Sequence, residues 1–137
     1  KDKSMNKYIN KNGIVYINQF HIIFSPKYKK PVLTGNVEKR LKEILYEEAD
    51  KMDVEIKALE IMPDYVHMFI EFDPRLMLYK VVKQFKGKSS HILREEFPFL
   101  KSSMPSLWTR NYLSCSVGHI SEDVIKAYIE SQQRRIR

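Results

Sequence analysis

The 137-residue sequence contains little cysteine and no long hydrophobic run. Cys115 is its single cysteine, which excludes an intramolecular disulfide framework and a multi-cysteine zinc cluster. No apolar stretch approaches the roughly 18–20 residues of a membrane span, and the first residues lack the hydrophobic core of a secretion signal. These absences exclude the disulfide-rich secreted and membrane classes and predict a cytoplasmic, single-domain globular protein.

Positive charge is in excess but unevenly distributed, with a formal net charge of +7. Residues 1–30 contain seven Lys or Arg and one acid, residues 31–73 contain five and eleven, and residues 74–94 contain six and none. Two basic blocks around an acidic one are typical of a surface with one side that faces a polyanion. A basic surface that faces only solvent would contain the same numbers of charged residues. Aromatic residues within the first block suit single-stranded nucleic acid, where bases stack, but they also suit a core.

The spacing of apolar residues predicts four strands and three helices. Alternation predicts strands at 15–25, 54–62, 66–72 and 108–117. Within the second strand it puts Val54, Ile56 and Ala58 on one face. Helical spacing predicts helices at 36–52, after Pro74, and from Ser121 onward, with a loop at 97–107.

The order of these elements indicates the fold class. A β-α-β-β-α-β order is that of a ferredoxin-like (RRM-like) α+β fold, in which an antiparallel sheet carries its helices on one face. The last helix is then an addition to that fold. The other face of the sheet is expected to be open to a ligand or a partner.

A few side chains could carry chemistry, although each has a more common structural role. His67 lies on the third strand and shares the open face with Tyr65, but a lone strand histidine is usually structural. Tyr128 and Gln132 are four residues apart on the last helix and share a face, although a tyrosine there is more often packing. His21, on the first strand, could face the same site, and a structural role is again the more common one.

Five blocks, taken together and in order, resemble one known family. They are FHIIFSPKYKKPVL, LEIMPDYVHMFIEFDP, FKGKSSHILREEFP, LWTRNYLSCSVG and VIKAYIESQQ. They are similar to blocks of the insertion-sequence 200/605 transposases, single-tyrosine members of the HUH endonuclease superfamily, over roughly residues 14–134. The resemblance implies a homodimeric transposase that cuts and rejoins single-stranded DNA at element ends and recognises hairpins near them, at the nucleoid of a prokaryotic cytoplasm.

The resemblance also implies roles for particular residues. Tyr128 matches the nucleophilic tyrosine, whose attack on a DNA phosphorus leaves a 5′-phosphotyrosine link and a free 3′-hydroxyl. His67 matches the second histidine of a histidine–hydrophobic–histidine motif, and Gln132 matches a metal-ligating glutamine. Such a site implies Mg²⁺ or Mn²⁺, which would polarise the scissile phosphate. The last helix is expected to dock on the partner subunit, with Gly118 as the candidate hinge.

These roles suggest a division of the chain. Residues 1–13 are expected to be an N-terminal extension, part of which could have been added to the natural protein. Residues 14–137 are expected to form a single transposase domain. Within that domain, residues 119–137 form the mobile catalytic helix that carries the tyrosine.

Tyr65 stands where the family motif has its first histidine. A neutral phenol with a pKa near 10 is a poorer ligand than imidazole. A metal could bind through His67, Gln132 and a nearby carboxylate, for which Glu60 on the paired strand is the candidate. Tyr65 could instead ligate as a phenolate. In the third alternative the site binds metal badly, and the protein is a catalytically impaired binder of hairpin single-stranded DNA or of RNA on the same fold.

DNA contacts are predicted in the two basic blocks. They should be mainly sequence-independent phosphate contacts that weaken steeply with salt. The predicted residues are Lys27, Lys29, Lys30, Lys83, Lys86, Lys88 and Arg94. A plain RNA-binding domain is a weaker alternative, because the stacking-aromatic motif of the RNA-recognition class is missing from the sequence.

Overall fold

A four-stranded antiparallel sheet organises the structure, a computed structural model that describes residues 18–116 and 122–135, with the backbone alone at 122 and 132–135. The strands are β1 (Gln19–Phe24), β2 (Glu55–Met62), β3 (Tyr65–Glu71) and β4 (Leu113–Cys115). They lie in the order β2-β3-β1-β4, with every neighbouring pair antiparallel. This order of strands and helices confirms the predicted α+β fold.

Four α-helices and one 3₁₀ turn accompany the sheet in the described residues. The helices are α1 (Gly35–Met52), α2 (Leu78–Glu96), α3 (Pro98–Ser103) and α4 (Glu122–Arg135), and the 3₁₀ turn is Lys27–Lys29. The short helix α3 lies where the sequence predicted only a loop, and it begins with Pro98, whose missing N–H and fixed φ suit a first helical position. Within the described residues no helix is both long and apolar enough to cross a membrane.

The main core lies between one face of the sheet and the two long helices. Both helices have apolar residues at three- and four-residue intervals, so that each buries one stripe. The stripes are Val37, Leu41, Ile44, Leu45 and Ala49 in α1 and Val81, Val82, Phe85 and Leu93 in α2. They pack on alternate strand residues, Ile22, Phe24, Val66, Met68 and Ile70. The intervening strand residues therefore point to the opposite face.

A β-bulge in β2 overturns the predicted alternation of that strand. The register with β3 shifts between Ile56 and Ala58. After the bulge Leu59 and Ile61 pack against the core, and Ala58 is exposed instead of sharing the face of Ile56. Because the extra residue inverts every later side chain, Glu60 lies on the open face, opposite His67 in the register.

The fourth strand is shorter than predicted, because it covers Leu113–Cys115 instead of 108–117. Trp108 makes only an isolated bridge to Pro26. The carbonyls of the three residues after it accept hydrogen bonds from Lys86 Nζ. These carbonyls bind a side chain instead of a neighbouring strand, so the sheet ladder begins only after them.

Helix α4 covers part of the open sheet face. Ile125 and Ile129 bury their side chains against Ile23 of β1, and these three form a cluster separate from the main core. Fully burying an isoleucine contributes about 1.5–3 kcal/mol, so this small cluster holds α4 far less strongly than the main core holds α1 and α2. The helix thus lies on the sheet of its own chain, whereas docking on a partner stays a prediction. The proposed hinge, Gly118, lies outside the described residues.

Candidate active site

Two histidines meet on the open face of the sheet. His21 of β1 and His67 of β3 are 46 residues apart in sequence, and His21 Nδ1 lies 3.0 Å from His67 Nε2. The His21 ring stacks on Phe69, with 4.4 Å between ring centroids and 15° between planes. Such stacking restricts the ring. The structure therefore brings to His67 a second imidazole that comes from the neighbouring strand.

Glu60 lies on the other side of His67. Its Oε1 is 3.7 Å from His67 Nδ1, which is the distance of an ion pair and longer than a hydrogen bond. The two ring nitrogens of His67 therefore have different neighbours, a histidine at Nε2 and a carboxylate at Nδ1. Glu60, predicted as a candidate ligand, is in this arrangement a neighbour of His67.

The surroundings of His67 favour its neutral form. Burial, assisted by the positive charge that His21 can carry, lowers the pKa of His67, and Glu60 opposes the shift only in part. The side chain is 18% exposed, so water solvates its charge poorly. At neutral pH the ring is therefore uncharged, the form in which an imidazole nitrogen can donate an electron pair.

Tyr65 packs with the apolar residues beneath α4. Its side chain lies against the cluster of Ile23, Ile125 and Ile129. It also lines a cleft of about 440 Å³ between the 3₁₀ turn and α4, together with Lys29, Met62, Asp64, Lys126 and Glu130. The phenol at position 65 therefore contributes to the seat of α4.

Tyr128 lies on the sheet-facing side of α4. Its ring packs against the same cluster, and its hydroxyl donates a hydrogen bond to Asn111 Oδ1 at 3.2 Å. Ile23 beneath the helix is the register partner of both His67 and Leu113. The tyrosine and the histidine pair therefore belong to one face of the sheet. Gln132 follows Tyr128 by four residues in α4, and its side chain lies outside the described part of the chain.

Lys86 holds the segment that carries Asn111. Its Nζ donates to the carbonyl oxygens of Thr109 at 2.8 Å, Arg110 at 3.4 Å and Asn111 at 3.1 Å. Burial lowers its pKa to about 8. Lys86, predicted to contact DNA, is thus engaged inside the protein, where it fixes the partner of the tyrosine hydroxyl.

The other predicted DNA contacts are dispersed. Arg94 donates to the carbonyls of Met104 and Pro105 at 3.1 and 3.0 Å, which gives it an internal partner as well. Lys88 is exposed and within electrostatic reach of Glu48 on α1. The first block lies in and after the 3₁₀ turn, where Lys27, Lys29 and Lys30 are half-buried and Tyr28 is exposed.

Lys83 lies in a groove that the sequence did not predict. This α2 groove has a volume of about 290 Å³ and runs between α2 and residues 106–112, with a lining that includes Tyr79, Lys83, Arg110 and Tyr112. Lys83 Nζ is 5.9 Å from the centroid of the Tyr79 ring. Cationic and aromatic side chains along one groove suit phosphates and stacked bases. The interleaved residues Thr-Arg-Asn-Tyr at 109–112 were the sequence signal for it.

Comparison with known proteins yields consistent matches. A family model described as "Transposase IS200 like" matches residues 14–132. The ISDra2 transposase TnpA of Deinococcus radiodurans is 34% identical over 122 residues, with 88% of this chain and 87% of that protein covered. The transposase for insertion sequence element IS200 of Salmonella typhimurium is 30% identical over 120 residues, with 84% and 79% covered.

Solved structures show the same fold. A crystal structure of a Deinococcus radiodurans R1 protein assigned as a transposase superposes with a TM-score of 0.81 and 35% identity, covering 90% of this chain and 96% of that one. A REP-associated tyrosine transposase, bound to a REP hairpin, has a TM-score of 0.57 and 11% identity, with 88% and 70% covered. Since the family model and the two similar sequences each span most of the chain, this protein belongs to the IS200-like transposase family.

Proposed function

We propose that this transposase cleaves and rejoins single-stranded DNA at the ends of its insertion sequence through Tyr128, and that it recognises hairpins near those ends. The observation that carries the proposal is the position of the Tyr128 hydroxyl. It is on the open sheet face, 3.2 Å from Asn111 Oδ1, on the helix that packs over the strand next to His67. The hairpin bound to the REP-associated transposase, which shares only the fold, is consistent with this choice of DNA.

Tyr128 would act as a nucleophile. A bond forms between its phenolic oxygen and the scissile phosphorus while the bond from phosphorus to the 3′ oxygen breaks, which leaves a 5′-phosphotyrosine link. Asn111 accepts the hydroxyl hydrogen bond and thereby orients the oxygen, but an amide oxygen is too weak a base to remove the proton. The phenol proton passes to water, and the departing 3′ oxygen gains one. Attack of a 3′-hydroxyl on the same link rejoins the strand without a nucleotide cofactor.

The residues of the open face supply some of the ligands that a divalent metal ion would need. His67 offers a neutral imidazole, and Gln132 is the second residue that the family resemblance nominates. A bound Mg²⁺ or Mn²⁺ would polarise and help to orient the scissile phosphate. Among residues 18–116 and 123–131, no three His, Cys, Asp or Glu side chains are grouped to hold a metal. Water and the amide of Gln132 would therefore be among the remaining ligands.

DNA binding is proposed along two surfaces. The α2 groove, with Lys83 and Arg110 beside two tyrosines, offers charge and stacking, and its 106–112 side leads to Asn111 and thus to Tyr128. The 3₁₀ turn, where Tyr28 is exposed between lysines, borders the cleft beneath α4. Assembly as a homodimer, in which α4 of each subunit would leave this seat for the equivalent seat on the partner, completes the proposal.

A covalent-adduct assay tests the central claim. Single-stranded oligonucleotides that span the element ends are incubated with the protein and Mn²⁺ or Mg²⁺ and then separated on a denaturing gel. We expect an adduct that disappears in Tyr128→Phe and persists in Tyr46→Phe, a tyrosine exposed on α1. An adduct that survives Tyr128→Phe would overturn the assignment of the nucleophile.

The second candidate is a hairpin-binding protein that has lost cleavage. The packing of Tyr65 in the apolar cluster under α4 favours this candidate. The family motif has a metal-binding histidine at position 65, whereas here the phenol at that position supports the helix. Such a protein would shift hairpin DNA in a native gel and form no adduct. Cleavage gained in Tyr65→His, measured with the same oligonucleotides, would then identify position 65 as the impaired part of the site.

A further inference from the structure

The contact between His21 and His67 is not explained by the family motif. That motif takes both histidines from one strand, at the positions of Tyr65 and His67, whereas His21 comes from β1. The contact is nevertheless built into the sheet, because His21 and His67 face the same side of adjacent strands and are offset by two residues in the register. Two imidazole nitrogens thus meet although position 65 is a tyrosine.

The separation of the two nitrogens fits two ligands of one ion. Nitrogens bound at a right angle to the same ion by bonds of about 2.1 Å are about 3.0 Å apart. His21 Nδ1 and His67 Nε2 are 3.0 Å apart. Without an ion, that distance is a hydrogen bond in which one ring nitrogen donates its proton to the other. When that proton moves to the other nitrogen of its ring, both facing nitrogens present electron pairs.

The surroundings of both imidazole rings favour metal binding by the two facing nitrogens. A ligating histidine usually has a carboxylate or carbonyl near its other ring nitrogen, which selects the tautomer that leaves the ligating nitrogen free. Glu60 Oε1 stands 3.7 Å from His67 Nδ1, and the bulge in β2 is what aims it there. Phe69 holds the His21 ring by stacking. One ring is thus oriented by charge and the other by packing.

We propose that His21 Nδ1 and His67 Nε2 are paired ligands of one first-row transition-metal ion, with Glu60 as the positioning residue for His67. Imidazole nitrogen suits these ions better than Mg²⁺, which prefers oxygen and keeps its waters. The site therefore takes Co²⁺ or Ni²⁺ more tightly than Mn²⁺, and Mg²⁺ least of all. What the ion does to DNA rests on the proposed function, whereas its binding to the two histidines does not.

Metal titration of the untagged protein, without DNA, tests the pair. We expect His21→Ala and His67→Ala each to weaken Co²⁺ binding, measured by calorimetry, by about tenfold or more. His91→Ala, at an exposed histidine on α2, and Tyr65→Phe should leave the affinity unchanged. Wild-type affinity in His21→Ala, or no Co²⁺ binding by the wild-type protein, would overturn the proposal.

A measurement on the wild-type protein avoids the risk that a variant misfolds. Substoichiometric Mn²⁺ should broaden the ring-proton NMR signals of His21 and His67 equally and spare those of His91. Broadening of His67 alone would refute the role of His21. Failure of the proposed function would appear elsewhere, as a protein that binds Co²⁺ through both histidines and forms no DNA adduct at Tyr128.

Discussion

Lys86 illustrates how one residue type can serve two opposite functions. A lysine in a basic helix is an ordinary phosphate ligand, which is why the sequence predicted a DNA contact. In the structure its ammonium is half-buried and donates to three consecutive backbone carbonyls. These bonds hold residues 109–111 and therefore Asn111, the hydrogen-bond acceptor of Tyr128. The charge of Lys86 thus holds the segment that carries Asn111, and its side chain also lines the α2 groove.

The pH dependence of stability should reveal this buried lysine. Its pKa is about 8 in the folded protein because of burial, against an ordinary 10.5 in the unfolded chain. Between these pH values the unfolded chain binds a proton that the folded chain does not, so stability rises with pH. We therefore expect the free energy of unfolding in urea to rise, relative to that of Lys86→Met, between about pH 8 and pH 10.5. Absence of a rise over this range would show that the three carbonyls retain the charge and that the pKa of Lys86 is not lowered.

Asn111 should affect the rate of cleavage without affecting binding. Asn111→Ala removes the acceptor that orients the Tyr128 hydroxyl, and one such hydrogen bond contributes about 1 kcal/mol. We expect adduct formation to slow about fivefold, a factor that corresponds to this free energy, while hairpin affinity in a gel-shift assay is unchanged. Asn36→Ala, at an exposed position in α1, is the control. Equal adduct rates in the two variants would remove Asn111 from the site.

At the scale of the elements, the site depends on a strand irregularity and on a weakly held helix. The bulge in β2 turns Glu60 toward His67, and the late start of the β4 ladder leaves carbonyls for Lys86. Helix α4 is held through a cluster of three isoleucines and their partly buried neighbours. Since that cluster is separate from the main core, α4 can be released without unfolding the sheet.

Ile129→Asp should release α4 alone. A carboxylate in place of a buried side chain against Ile23 must either be desolvated or leave the sheet, and leaving costs less. We expect amide hydrogen exchange to lose its protection in α4 and to keep it in α1, α2 and the sheet. Val124→Asp, at an exposed position of the same helix, should behave as the wild type does. Loss of protection throughout the protein would show that α4 is part of the main folding unit.

At the scale of the whole molecule, charge differs between segments of the fold. The acidic block, residues 31–73, includes α1, β2 and β3, whereas the described part of the basic blocks includes β1, the 3₁₀ turn and most of α2. The predicted cations do not form one continuous patch, because Lys86 and Arg94 bond to backbone carbonyls. The phosphate contacts should therefore be few and located in the α2 groove and the 3₁₀ turn.

Salt dependence should reveal how many phosphates the protein neutralises. Removing one phosphate-binding cation reduces the slope of log affinity against log salt concentration by about 0.7 for single-stranded DNA. Lys83→Ala should lower both the slope and the affinity for a hairpin oligonucleotide, measured by fluorescence anisotropy at several salt concentrations. Lys42→Ala, an exposed helical lysine in the acidic half, should change neither. Equal effects of the two substitutions would show that the groove is not the binding surface.

The architecture and the family could both be predicted from the sequence. They follow from local periodicity and from short ordered blocks, which are properties of neighbouring residues. The sequence patterns missed α3 and overextended β4, because helix start signals and side-chain competition for carbonyls were hidden in a stretch without periodicity. The roles of Tyr128 and Gln132 stay predictions.

Which side chains meet was settled by tertiary packing. His21 and His67 are 46 residues apart, and Asn111 and Tyr128 are 17 apart. Cross-strand register and helix docking create these contacts, and neither is encoded in the spacing of either residue. A single inserted residue in β2 reverses the face of Glu60, which strict alternation from Ile56 would turn toward the core. The chemical groups available to the protein could thus be listed from the sequence. The partners of each residue depended on the packing of strands and helices that are distant in sequence.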